Sequence, residues 1–179
     1  MTRGNERRIL AQCAPALTGV KAGSLLKVDE MVCNDALDLL SSFNIDGVGT
    51  KLLCTRGSFS LILVYRTDML SAALGDHDTR QFLSGMGYRG SMSHMLEHLS
   101  ERMGLGLQHE LGIFLGYPLP DVKGFMDNMG RGYLASGCWR VYGDVARAKG
   151  LFERIRESKS RCLRLFDSGL SIHSAVCAL

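Results

Sequence analysis

Apolar residues at Val32, Ala36, Leu39, Leu40 and Phe43 recur every three or four positions, the spacing of one helix face. The spacing predicts a helix over 29–43, with Asp29 placed to cap it. The pattern then changes. Lys51-Leu52-Leu53-Cys54 and Phe59-Ser60-Leu61-Ile62-Leu63-Val64-Tyr65 are short apolar runs separated by Arg56-Gly57-Ser58. The glycine suits a tight reversal, so the two runs predict a β-hairpin near 50–66. Helical spacing returns near 67–75, 78–86 and 91–103, punctuated by Gly75-Asp76, Gly87-Tyr88-Arg89-Gly90 and Gly104-Leu105-Gly106. Residues 108–115 are almost all apolar and predict a short helix buried on every side. Gly116-Tyr117-Pro118 ends it, because the residue before a proline is pushed out of the helical region. Pro120-Asp121 opens a further helix to about Asn128. Tyr133 to Tyr142 reads as a third strand, and Gly143-Asp144 leads into a long helix over 144–166. The expected fold is α+β: a small antiparallel sheet of about three strands, the hairpin near 50–66 plus a strand near 133–142, packed with several helices. No repeat or linker divides the pattern, so one domain over 1–179 is expected.

Composition narrows the setting. Hydrophobic residues at 46% and charged residues at 22% belong to a chain that collapses into a core. A net charge of +3 does not demand nucleic acid and does not obstruct an anionic ligand. The start, Met1-Thr2-Arg3-Gly4-Asn5-Glu6-Arg7-Arg8, is charged and leads into no signal-peptide core. The longest strongly apolar run, Leu61-Ile62-Leu63-Val64, is far short of the roughly 20 residues a membrane helix needs. Cysteines 13, 33, 54, 138, 162 and 177 form no Cys-x-x-Cys pair and no clustered framework. They are expected to be free thiols in a reducing compartment, the cytoplasm.

Several constellations carry candidate chemistry. His94-Met95-Leu96-Glu97-His98 fits the H-x-x-E-H pattern, in which two histidines one helical turn apart bind zinc and the glutamate activates water. On a helical wheel, however, Met92, Met95, Leu96, Leu99 and Met103 form the apolar stripe. His94, Glu97, His98 and Glu101 then share the opposite side, as a solvated face does. His109-Glu110 heads the predicted buried helix, where Glu110 would serve as a cap and where an imidazole and a carboxylate beside apolar surface would have perturbed ionisation. Residues 13–24 offer the Cys13 thiol, the Lys21 amine and the Ser24 hydroxyl in an apparently irregular stretch. A nucleophilic Cys13 would need a base or cation beside it; otherwise it is a buried structural thiol. Cys138-Trp139 reads as core or sheet-face residues. Arg147, Arg154, Arg156, Arg161 and Arg164 make the helix over 144–166 basic, but Glu153 and Glu157 dilute it and no aromatic interleaving argues for nucleic acid. Gly47-Val48-Gly49-Thr50-Lys51 lacks the full glycine spacing of a phosphate loop. Gly112 and Gly116 suit close helix packing.

Three blocks in order carry a family resemblance. They are Cys13-Ala14-Pro15-Ala16-Leu17 with Lys21 and Ser24; His109-Glu110-Leu111-Gly112-Ile113-Phe114-Leu115-Gly116-Tyr117-Pro118-Leu119 with Asp121-Val122 and Gly124-Phe125; and Trp139-Arg140-Val141-Tyr142-Gly143-Asp144. Together they resemble the bacterial domain of unknown function thirty-seven ninety-three, across nearly the whole chain. The resemblance implies a role in iron or redox physiology and places His94 and His98 outside the characteristic blocks. It raises His109, Glu110, Tyr117, Asp121, Cys13, Lys21, Ser24, Trp139 and Tyr142 as ligand-binding candidates.

The leading expectation is a cytoplasmic binding or regulatory protein in which His109, Glu110 and Tyr117 border a pocket shared with the 13–24 segment. The partner would be a small ligand or a protein, with no membrane involved. No cofactor and no reaction is specified by these residues. The alternatives are a small metal-dependent hydrolase built on His94, Glu97 and His98, and nucleic-acid or nucleotide binding through the helix over 144–166.

Overall fold

The computed structural model describes residues 1–43 and 47–178. Its centre is a three-stranded antiparallel sheet of β1 (Gly23–Asp29), β2 (Val48–Arg56) and β3 (Phe59–Arg66), in the order β1-β3-β2. The β2–β3 hairpin turns at Gly57 with φ +54°, a conformation open to glycine, and a bulge falls between Leu52 and Cys54. The α+β architecture and this hairpin match expectation. The third strand does not come from 133–142. It is β1, which runs antiparallel to β3 from Gly23 opposite Tyr65 to Asp29 opposite Phe59.

Central β3 is buried on both faces, as its run of apolar residues requires. Ile62 and Val64 face one core with α1 (Arg3–Leu17), α2 (Cys33–Ser41), the end of α8 (Val145–Asp167) and α9 (Ile172–Cys177). Leu63 faces the other, formed with α3 (Thr67–Gly75), α4 (His77–Gly85), α5 (Met92–Leu105), α6 (Leu111–Phe114) and α7 (Leu119–Asp127). Side-chain caps set several helix starts: Asp76 accepts from the Thr79 amide, Ser91 from His94 and Asp144 from Arg147.

Several local expectations need correction. Residues 13–24 are irregular only over 18–22: Cys13 to Leu17 finish α1 and Gly23-Ser24 open β1. The helix expected over 29–43 is a 3-10 turn at Glu30–Val32 followed by α2, and Asp29 makes no side-chain cap. Asp29 is instead the last residue of β1, so the chain must turn before a helix begins. The helix expected over 108–115 is only α6, although Leu111 to Leu115 are buried as its composition requires. Residues 133–142 form a separate small hairpin, β4 (Ala135–Ser136) with β5 (Arg140–Val141). Trp139 and Val141 pack this hairpin against Ala148, Phe152 and Ile155 of α8. Among the described residues, no helix is long and apolar enough to cross a membrane.

Candidate functional site

The α6–α7 connection and the β4–β5 hairpin face each other across a cavity of about 380 Å³. Gly116 makes the turn after α6 at φ +79°, which brings Tyr117 out beside the hairpin. Gly137 lets the hairpin lie directly on α8, since a Cβ there would collide with the Phe152 ring. Between them Trp139 is clamped on three sides. Its ring stacks on Tyr117 at 4.8 Å and meets Phe152 edge-on at 4.5 Å. Its indole Nε1 donates to Asp121 Oδ2 at 2.7 Å. Asp121 Oδ1 accepts from the amides of Tyr142 and Gly143, each at 2.8 Å, so one buried carboxylate of α7 holds the hairpin through three N–H donors.

Leu111, Leu115, Val122 and Phe125 complete the apolar wall, and Gln108, His109, Ser136, Cys138 and Arg140 bring polar groups to it. The His109 ring packs on Phe125 at 5.0 Å. Arg140 lies over Phe125 and Tyr133, at 5.6 and 5.2 Å from the ring centres, and donates to the Gly130 carbonyl. Leu107 stands at the rim, 63% exposed.

Lys21 reaches this region from the other end of the sequence. The amides of Val20 and Lys21 both donate to the Pro15 carbonyl at 2.9 Å, folding the chain back after α1. The Lys21 ammonium then sits 5.0 Å from the centre of the Tyr117 ring. Burial drives the Lys21 amine down to about 8, with the nearby Cys138 and Cys13 sulfurs opposing the shift. Burial, then Cys138, pushes the Tyr117 phenol up to about 12, and the Tyr117 hydroxyl donates to the Cys138 carbonyl at 3.5 Å.

His109, Tyr117, Asp121 and Trp139 thus gather around one cavity, and Lys21 stands behind Tyr117. The other candidates lie elsewhere. Cys13 is fully buried in the core beside α2 and α9, where burial raises its thiol far out of the reactive range despite Lys21. Ser24 is buried in β1 opposite Val64. Tyr142 donates from its hydroxyl to the Arg131 carbonyl, and its ring fills the space over Gly124. Glu110 does not cap α6; its Oε1 accepts from the Tyr88 hydroxyl at 3.0 Å and Arg102 Nε at 2.6 Å. Sequence reasoning placed Cys138 in the core or on a sheet face, yet it is exposed in the hairpin connection and lines the cavity. It also missed Gln108 and Arg140. The one available signal for Cys138 was its neighbour Gly137, since a glycine between short strands marks a turn.

On α5 the H-x-x-E-H groups have separate tasks. His94 Nδ1 bonds Ser91 in the capping box, and Glu97 pairs with Lys51 at 2.5 Å. His98 packs edge-on against Tyr88 at 4.6 Å, with Nε2 3.3 Å from the Met86 carbonyl. Among the described residues, no group of three or more His, Cys, Asp or Glu side chains is placed to hold a metal ion. The Val48-Gly49-Thr50-Lys51 stretch lies in β2, outside any strand-to-helix turn.

No curated protein and no solved structure matches the chain. The three blocks that carry Lys21, Tyr117, Asp121 and Trp139 to one place fall within residues 9–176, which match the family described as protein of unknown function, DUF3793, and the chain belongs to that family.

Proposed function

We propose that the chain is a small-ligand binding module of the reducing cytoplasm, and that its site is the cavity between the α6–α7 connection and the β4–β5 hairpin. One observation carries this reading: Trp139 is over-determined by Tyr117, Phe152 and Asp121, while the space before it, about 380 Å³, is left open. A rigid aromatic wall with a few polar groups at its edge is what a preformed site for a flat, largely apolar ligand requires. His109 and Arg140 bring N–H groups to the rim. Of the two settings implied by the family resemblance, redox has a matching group here, the exposed Cys138 thiol.

The test uses anilinonaphthalene sulfonate, a flat aromatic anion, and the single tryptophan as energy donor. Saturable dye binding with energy transfer from Trp139 is expected. Ser136→Phe, at an exposed position lining the cavity, should weaken it about tenfold by occupying the space. Unsaturable binding, or binding indifferent to Ser136→Phe, would overturn the assignment.

A further inference from the structure

Cys138 lies at a junction. Together with Ser136 and Gly137 it lines the cavity facing Trp139 and also a second, wider groove of about 560 Å³ against α8. The two differ in character. The first is walled by aromatic and aliphatic side chains. The second has a floor of Phe152 and Ile155 and is bordered by three cations, Lys149, Arg156 and Lys159, against one carboxylate, Glu153. Behind the junction, the Lys21 ammonium stands over Tyr117 within Coulombic reach of the Cys138 sulfur. The cavity wall itself carries one charge of each sign: Asp121, whose oxygens accept from N–H donors of Trp139, Tyr142 and Gly143, and Arg140.

We propose that Cys138 is a site of thiol–disulfide exchange with small disulfides that carry negative charge, the anionic half lying in the Lys149, Arg156 and Lys159 groove. The Cys138 thiol gives its proton to the neutral amine of Lys21 or to water, and the thiolate attacks one sulfur of the disulfide. That S–S bond breaks, a new one forms to Cys138, and the departing half leaves as a thiolate that takes up a proton. Cys138 is oxidised by the bond it gains and the departing sulfur is reduced; a small free thiol reverses the step. The fall of the Lys21 amine to about 8 leaves a fraction of it neutral near pH 7 to accept the proton. The other exposed cysteine, Cys177, has the His173 ring 3.5 Å from its sulfur. A nearby base is therefore common to both thiols, and the cationic groove is the feature that sets Cys138 apart.

The proposal adjoins the cavity reading but stands on the second groove, and the experiment separates the two. The whole chain is incubated with oxidised glutathione, an anionic disulfide, or with bis(2-hydroxyethyl) disulfide, a neutral one, and adducts are assigned by peptide mass spectrometry. The anionic-to-neutral rate ratio at Cys138 should exceed that at Cys177 by about fivefold at low salt and converge on it at high salt. Lys149→Glu with Arg156→Glu, both exposed, should lower the ratio at Cys138 about tenfold while leaving Cys177 unchanged. Lys21→Met should slow both reagents at Cys138 by a similar factor, because it removes the proton acceptor and leaves the groove that holds the disulfide unchanged. Equal ratios at the two cysteines, or a ratio at Cys138 untouched by the charge reversal, overturns the proposal. Dye binding without exchange removes this inference and leaves the cavity reading standing; exchange without dye binding does the reverse.

Discussion

Two buried carboxylates, Asp121 in the cavity wall and Glu110 behind its rim, are satisfied in opposite ways. Glu110, 1% exposed, gives one oxygen to the Tyr88 hydroxyl and to the guanidinium of Arg102, whose side chain is 32% exposed. Arg102 also donates to Gln108, and Gln108 donates back to the carbonyls of Arg102 and Gly106, closing a loop of bonds around the chain between α5 and α6. Asp121, 3% exposed, takes three N–H donors, the Trp139 indole and two backbone amides. A half-exposed guanidinium can turn to water when its partner is lost, whereas a buried indole and hairpin amides have no such outlet. Glu110 therefore braces one rim, and Asp121 decides the shape of the opposite wall. That difference separates a carboxylate serving local packing from one that builds a site.

The largest expected effect tests that contrast directly. Asp121→Ala strands three donors and should cost about 3–4 kcal/mol, read as a lowered urea midpoint, with Trp139 emission shifted to the red as the hairpin loosens. A loss below about 1 kcal/mol would mean that the hairpin is held by its apolar contacts alone. Glu110→Gln keeps an acceptor and frees a guanidinium already near water, so a smaller loss of about 2 kcal/mol is expected, with Trp139 emission unchanged. A red shift in Glu110→Gln would show that the two carboxylates act as one network.

The smallest effect has the opposite sign and depends on pH. Burial holds the Lys21 amine near 8 against an ordinary 10.5, so folding disfavours its charged form. Below about pH 8 both folded and unfolded chains carry the charge and the full penalty is present; between about 8 and 10.5 the folded chain releases its proton first and the penalty lifts. Lys21→Met should therefore be more stable than the parent by about 1 kcal/mol at pH 7, after loss of the contact with Tyr117, and the difference should vanish or reverse above about pH 10. Urea unfolding of both chains at the two pH values provides the measurement. A variant less stable at pH 7 would show that the Tyr117 contact outweighs the cost of burial.

Much of the fold was legible along the chain. The β2–β3 hairpin, α3, α4, α5 and α8 announce themselves by periodicity and punctuation, both local properties. The first sixth of the chain was not: α1 carries Gly4 near its start and Pro15 in its last turn, residues that weaken a helical pattern. The strand β1, Gly-Ser-Leu-Leu-Lys-Val-Asp, lacks clean alternation because Leu25 packs into one core and Leu26 into the other. Within the site, the block from His109 to Asp121 and the block beginning at Trp139 were visible as motifs. The exposure of Cys138 was not, because it depends on how Gly137 seats the hairpin on Phe152.

By itself the sequence determined the α+β class, the hairpin, the buried character of residues 111–115 and the solvated face of α5, each a consequence of spacing within a few turns or strand repeats. Only the tertiary structure decided that β1 rather than 133–142 completes the sheet, that Asp121 ties α7 to Trp139, and that Lys21 stands beside Tyr117 and Cys138. Those pairings join residues far apart in the chain. They are selected by which apolar faces and buried donors can be satisfied together, a condition on the assembled chain that no local pattern records.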